Sequence, residues 1–364
     1  MTSYSDVEII VNPDANNGNY QFKIPYTYDY TKSTEENYMH IGDTPSSFSG
    51  AFAQERSKID YSYHKHYIVD RQLLQDRIMK KFLQTTIRFV INDEEIICDR
   101  PTQPWLVFTA GCMGAGKGHT IKWLASKDLF PLKAFVQVDA DKLRELLPEF
   151  YEYNKRDEST SGQLTQKEVG VMSELLTLDG LDDGKNVLVD GSLRDAEWYS
   201  KYIKDLRVQY PHLNIGILYV TATKDTILNR AAERAKETGR VVPEEVILST
   251  LRKIPDSIRI LSPLVDFLAT FENEDDEPRL VYSCQHDHVV IDSDEGEVCS
   301  IYNGFDEWKD SFQHEFVMEC PLEFYEKKKL EKRLSRLNST ELPSVESTNN
   351  ENESTAKTTV FKEL

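Results

Sequence analysis

Three observations predict an α/β protein built on a parallel sheet flanked by helices. Short apolar runs alternate with helix-compatible segments from residue 105 to about 260, the spacing of successive βαβ units. The run Trp105-Leu-Val-Phe108 feeds a glycine-dense turn, Gly111-Cys-Met-Gly-Ala-Gly-Lys117, and a helix-compatible stretch from Thr120. Two later runs, 134–138 and 186–189, end directly in carboxylates, Asp139 with Asp141 and Asp190. Ligands of open α/β sheets sit beyond the carboxyl ends of the strands, so these three turns are expected to converge on one cleft.

Strand, glycine loop, lysine and helix is the layout of a phosphate-binding P-loop, which makes the sheet one of P-loop NTPase type. The backbone N–H groups of such a loop, and the positive end of the helix after it, attract phosphate. Gly111, Cys112, Met113, Gly114, Ala115, Gly116, Lys117, Gly118, His119 and Thr120 are the expected nucleotide-binding set, with Lys117 reaching the β/γ-phosphates. The pattern G-x-x-x-x-G-K-[ST] is met except at its last position. Gly118 stands where a hydroxyl would hold Mg²⁺, and the nearest hydroxyl is Thr120.

Composition narrows the function classes. The chain has 364 residues, 39% hydrophobic, with 18 Tyr and 16 Phe, enough for a sizeable core. Its net charge of −19 argues against a nucleic-acid or membrane-surface binder, since both present negative phosphates. Five cysteines without close metal-ligand spacing fit a reducing compartment. No apolar run approaches the ~18 residues of a membrane span and no signal-peptide core opens the chain, so a cytoplasmic location is expected.

Along the chain, 1–45 reads as a polar segment lying over the surface or mobile, and 46–100 as a helical and hairpin extension. Within it, 69–85 is an expected amphipathic helix through Leu73, Leu74, Ile78, Met79, Phe82 and Leu83, and 87–91 with 95–98 an expected hairpin. His64 and His66, two apart, make a poor metal pair. The P-loop domain spans 101–270, with helices at 164–179, 195–208 and from 224, a strand at 215–220, and Pro243 opening the next helix. A small extension, 271–337, combines three strands at about 279–284, 287–292 and 297–302 with helices at 304–317 and 322–336. Cys284, His286 and His288 suggest a metal only weakly, for want of a fourth ligand. The polar tail, 338–364, is expected to be disordered.

A carboxylate facing a γ-phosphate can take a proton from a substrate hydroxyl, and lid arginines can neutralise the charge of the transferring group. Arg230 and Arg234, four apart on one helical face, and Arg240 beyond them are placed for the lid; paired solvated arginines are the plainer alternative. Asp139 could equally be a helix N-cap.

Over about 104–265 these pieces resemble the zeta toxins and zeta-toxin-domain proteins. The likeness rests on the Gly111–Lys117 loop, Val138-Asp-Ala-Asp-Lys-Leu-Arg144 with Leu147-Pro148, Asn186-Val-Leu-Val-Asp-Gly-Ser192, and Thr238-Gly-Arg-Val-Val-Pro243, in that order. The resemblance implies an ATP- or GTP-dependent kinase, whose bacterial members phosphorylate a hydroxyl of UDP-N-acetylglucosamine. Carried over by position, Asp141 is the general base, Lys117 the phosphate ligand, and Arg240 one lid arginine, with either Arg230 or Arg234 the other. Asp190 and Ser192 match the acidic and hydroxyl positions that contact substrate, and with Asp139, Arg144 and Arg194 they make up the expected substrate-binding set. Gly118 departs from the family pattern and resembles adenylate-kinase-type loops, so Mg²⁺ is expected to be held through water near Asp139, Asp141 and Asp190, with no direct protein ligand. Asp190 stands where the toxins often carry Glu.

The expected acceptor is a small-molecule hydroxyl, with a nucleoside or nucleotide kinase as the second reading and a non-catalytic nucleotide-binding interaction protein as the third. Nucleic acid and membrane are not expected partners; a protein partner is expected for the C-terminal tail. The segment before residue 100 either inhibits the site, as an antitoxin does, or packs on the sheet.

Overall fold

Alternating apolar runs and helical segments fold into a seven-stranded sheet flanked by helices. The computed structural model describes residues 22–41, 47–91, 94–238, 242–285 and 300–301, with Lys327 and Leu330 as isolated helical positions. Met1–Pro321 form one compact unit; Leu322–Leu364 form a second, of which only Lys327 and Leu330 are described.

Three helices come first: α1 (Thr34–Tyr38), α2 (Ala53–Arg56) and α3 (Val69–Lys80). The expected hairpin follows as β1 (Ile87–Ile91) and β2 (Glu94–Cys98), paired antiparallel. The domain then runs β3 (Trp105–Ala110), α4 (Lys117–Ser126), β4 (Phe135–Asp139), α5 (Ala140–Glu145), α6 (Phe150–Arg156), α7 (Glu158–Asp182) and β5 (Asn186–Asp190). It continues through α8 (Ala196–Gln209), β6 (Asn214–Thr221), α9 (Lys224–Thr238), α10 (Glu244–Leu261), β7 (Phe267–Glu272), β8 (Arg279–Gln285) and β9 (Ser300–Ile301).

The strand order is β4-β5-β3-β6-β7-β8-β9, parallel from β4 to β7. Central β3 is buried at every residue, as a parallel strand covered on both faces must be. Pairing sets Phe108 beside Val189 and Asp139 beside Asp190, so the ends of three strands line up.

The sheet corrects the expected boundary near residue 270. Phe267-Leu-Ala-Thr-Phe271 is a core strand, buried throughout and parallel to β6, and β8 adds antiparallel to β7. The first strand of the supposed extension therefore continues the main sheet. Pro243 caps α10 from outside the helix. The expected strand at 287–292, the helix at 304–317, most of the helix at 322–336, and the tail lie outside the described residues, as do His286 and His288.

The N-terminal segment is also more integrated than its polarity predicts. A capping box, Ser33 with Glu36, starts α1 and brings Tyr38 to 1% exposure. Helix α3 stops at Lys80, short of Phe82 and Leu83. It buries Arg71, Gln72, Gln75 and Asp76 beside Leu74, Ile78 and Met79, while Leu73 is only half-buried. Asp76 pairs with buried Arg56 at 2.7 Å and accepts from the Ala51 amide at 2.6 Å. Polar groups can occupy that face because they are paired.

One carboxylate near the end of α7 works against the fold at neutral pH. Burial, and then Asp183 and Glu55 nearby, raise the pKa of Asp179 from 3.8 to about 6. The folded state thus holds this proton more tightly, and its advantage is full below about pH 4 and lost as pH rises through 6. Two units correspond to at most about 3 kcal/mol, which solvent screening of this half-exposed group reduces to about 1 kcal/mol. Asp179→Asn should raise stability by that amount at pH 7 and leave it unchanged near pH 3, as measured by urea unfolding at both pH values.

Candidate active site

The carboxyl end of β3 turns through Gly111, Gly114 and Gly116 at φ +143°, +88° and +86°, the left-handed region closed to most side chains. Gly116 caps α4, and Lys117 is its first residue. The Lys117 ammonium donates to the carbonyls of Gly111 and Cys112 at 3.0 and 3.3 Å, folding back over its own loop. The Gly111 amide donates to Ser192 O at 3.4 Å, tying the loop to the end of β5. Asn273, just past β7, donates to Ala115 O at 2.9 Å and occupies the space a Gly116 side chain would need.

The rest of the loop set divides by burial. Cys112 is buried, donates toward Ile247 O at 3.5 Å, and has its thiol pKa pushed up by burial despite nearby Lys117 and Arg194. Met113 is half-buried. His119 Nε2 lies 2.9 Å from the Asp276 carbonyl. Thr120, the nearest hydroxyl, is fully buried with no hydrogen-bond partner for its oxygen among the described residues, and its amide donates to Gly116 O. Its side chain belongs to the core rather than to the loop surface.

Gly118 is exposed, with nothing among the described residues within 4 Å of where a Cβ would stand. Gly118→Ser should therefore fold normally. A new hydroxyl worth ~1 kcal/mol on a nucleotide-bound cation would tighten Mg²⁺-nucleotide binding about fivefold. Calorimetric titration of both proteins with Mg²⁺-ATP checks this, and unchanged affinity would show that the hydroxyl position does not face the metal.

At the end of β4, Asp139 is the N-cap of α5, accepting from the amides of Asp141 and Lys142 at 2.9 and 3.2 Å. Its other oxygen lies 3.6 Å from the Lys142 ammonium. The cap leaves Asp141 in the first turn of α5. There Arg144 donates to one carboxylate oxygen of Asp141 and Arg234, from α9, donates to the other at 3.2 Å. Arg144 is buried and also bonds Thr165 Oγ1 at 2.8 Å and Gln166 Oε1 at 2.9 Å, both on α7.

At the end of β5, Asp190 accepts from the Thr109 hydroxyl at 2.6 Å, and Thr109 accepts in turn from the Gly191 amide at 3.1 Å. Beyond it Leu193 takes φ +53° and its carbonyl accepts from Ser257, which fixes the turn. Arg194 reaches Thr250 on α10 at 3.4 Å.

Geometry separates the two arginines that spacing leaves equivalent. Arg230 donates to the carbonyls of Asn273 and Glu274 at 2.6 and 3.0 Å, bracing the loop after β7, whereas Arg234 reaches Asp141. Arg240 lies outside the described residues. Thr109, Asn273, Thr165 and Gln166 carry the site's supporting bonds and are not singled out by motif; only Thr109, two residues before Gly111, adjoins one.

The family model described as zeta toxin matches residues 90–294. The chain belongs to the zeta toxin family. Membership together with the loop marks a nucleotide-binding phosphotransferase of kinase type. Among curated proteins no match is found. Of solved structures similar to this chain, one is from the PezAT chromosomal toxin-antitoxin system of Streptococcus pneumoniae, at 20% identity and TM-score 0.46, covering 72% of this chain and 94% of that one. Another is the AvrRxo1-ORF1:AvrRxo1-ORF2 complex, at 18% identity and TM-score 0.43, covering 80% and 85%. A third is deoxyadenosine kinase from M. mycoides, at 17% identity and TM-score 0.30, covering 46% and 90%. Among the described residues of this zeta toxin family member, no helix is long and apolar enough to cross a membrane.

Proposed function

We propose that the protein transfers the γ-phosphoryl group of ATP, or GTP, to a hydroxyl of a small molecule, with UDP-N-acetylglucosamine the first acceptor to test. One observation carries this reading: Asp141 opens α5 between Arg144 and Arg234, at the end of the strand whose Asp139 pairs with Asp190. A carboxylate held by a fixed arginine on one side and an exposed one on the other suits a base that works beside a phosphate.

In the proposed reaction the N–H groups of 111–118 and Lys117 cradle the donor phosphates. Asp141 accepts the proton of the acceptor hydroxyl, whose oxygen bonds the γ-phosphorus as the bond to the β-phosphate oxygen breaks and the nucleoside diphosphate leaves. Arg234, 3.2 Å from Asp141, would meet the charge on the transferring group, with Arg240 proposed as the second lid cation. Arg194 and Ser192, on the turn bonded to the P-loop, would face the acceptor.

The residues fit a water-held Mg²⁺. Gly118 offers no side-chain oxygen, Asp139 is engaged as a cap, and Asp190, beside Thr109, would hold metal-bound water. Bound there with the nucleotide, Mg²⁺ would neutralise phosphate charge.

Gly118 also favours the second reading, a nucleoside or nucleotide kinase. The deciding experiment incubates the full chain with γ-labelled ATP and UDP-N-acetylglucosamine, nucleosides, nucleoside monophosphates or a metabolite extract, with Lys117→Ala as control. Label on a UDP-sugar supports the first reading, and label on nucleosides or their monophosphates the second. ATP binding with no labelled product from any acceptor would overturn both and leave a nucleotide-binding interaction protein. The acidic composition of the C-terminal tail motivates a search for a protein partner, with that tail as the first segment to delete.

A further inference from the structure

Three fully buried charges lie outside the loop site and have no part in the reaction above. Arg71 of α3, Glu149 capping α6 and Glu168 of α7 have no exposed side-chain surface. Arg71 grips Glu149 with two donors at 2.9 and 3.0 Å and Glu168 with two at 2.6 and 2.8 Å. Gln75 adds a bond to Glu168 at 2.9 Å, and the Tyr38 hydroxyl donates to Glu149 with its ring 4.1 Å from the guanidinium carbon. Burial would raise the Glu168 carboxyl, but Arg71 and Gln75 hold it below its ordinary range. Such a cluster is a poor source of stability compared with apolar packing, yet separating its helices would leave buried charges without their partners, at a high cost.

The helices it arranges are those that hold Asp141. Helices α5, α6 and α7 form the chain between β4 and β5. Glu168 follows Thr165 by three residues, one turn along α7, and Thr165 with Gln166 holds Arg144, which holds Asp141. Two arginines thus staple the same stretch of α7: Arg144 joins it to the base, and Arg71 joins it to the N-terminal extension and to the cap of α6.

We infer that the N-terminal extension is a built-in brace of the acceptor side, in which Arg71 is a positioning residue acting on Asp141 through Glu168, α7 and Arg144. On this inference the described residues 22–41 and 47–80 would complete the site, the opposite of the inhibitory alternative. The inference rests on the reading of Asp141 as the base only for its effect on turnover; the mechanical link stands separately.

The test uses the full chain with Tyr38→Phe, Arg71→Lys and Arg71→Met. ATP with water, and ATP with UDP-N-acetylglucosamine, serve as probe reactions. Hydrogen exchange is followed at residues 140–147 and 111–118, below the unfolding temperature of each variant. Tyr38→Phe keeps the ring and loses one bond, so it remains folded and decides the matter if Arg71→Met does not fold. Exchange at 140–147 should quicken at least threefold with 111–118 unchanged. Turnover should fall about tenfold in Tyr38→Phe and about a hundredfold in Arg71→Met, while the KM for ATP stays within twofold. Arg71→Lys should recover part of the loss, because a lysine can meet one carboxylate but not both in bidentate fashion. Unchanged exchange at 140–147 in folded variants, or higher turnover in any of them, overturns the brace. If exchange responds while Asp141→Asn retains full turnover, the brace stands and the assignment of the base falls.

Discussion

Asp141→Asn should bind ATP within about twofold of wild type and transfer phosphate at least about a thousandfold more slowly, within the range of a lost general base. The substitution keeps shape and one acceptor oxygen, so Arg144 can hold the new side chain, and its bonds to Thr165 and Gln166 do not involve position 141. The lost elements are the negative charge that pairs with Arg234 and the capacity to take a proton. The P-loop is built from other groups, with Lys117 on its own carbonyls and Gly111 on Ser192. Donor affinity is therefore separable from transfer. Titration calorimetry with ATP, followed by single-turnover transfer to whichever acceptor is labelled, checks both halves. A loss shared equally between binding and turnover would place Asp141 in donor binding; undiminished turnover would remove it from the chemistry.

The parts of the site that sequence reveals are those whose chemistry is local. The glycines at 111, 114 and 116 announce a turn with positive φ, and β3 and β5 are apolar runs because parallel strands are covered on both faces. Asp139 and Asp190 align because each closes its run at the same point of a shared register. The N-terminal extension is hidden for the opposite reason. Its buried face carries Arg71, Gln72, Gln75 and Asp76 among Leu74, Ile78 and Met79, so hydrophobic periodicity marks the helix but not the charged cluster it buries. The partners of Arg71 lie 78 and 97 residues away, beyond any local pattern. β7 escapes because it runs straight into the acidic 272–277 stretch, whose composition reads as loop. Arg230 and Arg234 share a helical face; only tertiary contacts show that one braces a loop and the other meets the base.

Gly114→Ala should lower nucleotide affinity by at least about a hundredfold, equivalent to ~3 kcal/mol, although it adds only a methyl group. The left-handed backbone at φ +88° costs a non-glycine residue roughly 1–2 kcal/mol. The larger obstacle is fixed: the new Cβ would lie 2.4 Å from the backbone oxygen of Ile227 in α9. A backbone atom inside a helix cannot swing aside as a side chain can, so the loop or α9 must shift. Moving the loop misplaces the amides that bind phosphate; moving α9 displaces Arg234 from Asp141 and Arg230 from the 273–274 carbonyls. Either shift harms the site, and the two are distinguishable. A displaced loop weakens ATP binding with Asp141-dependent turnover retained at saturation, whereas a displaced helix lowers turnover even when ATP saturates. Near-normal affinity and turnover in Gly114→Ala would mean that the loop and α9 do not touch in solution, and with that contact would go the placement of Arg234 beside the base.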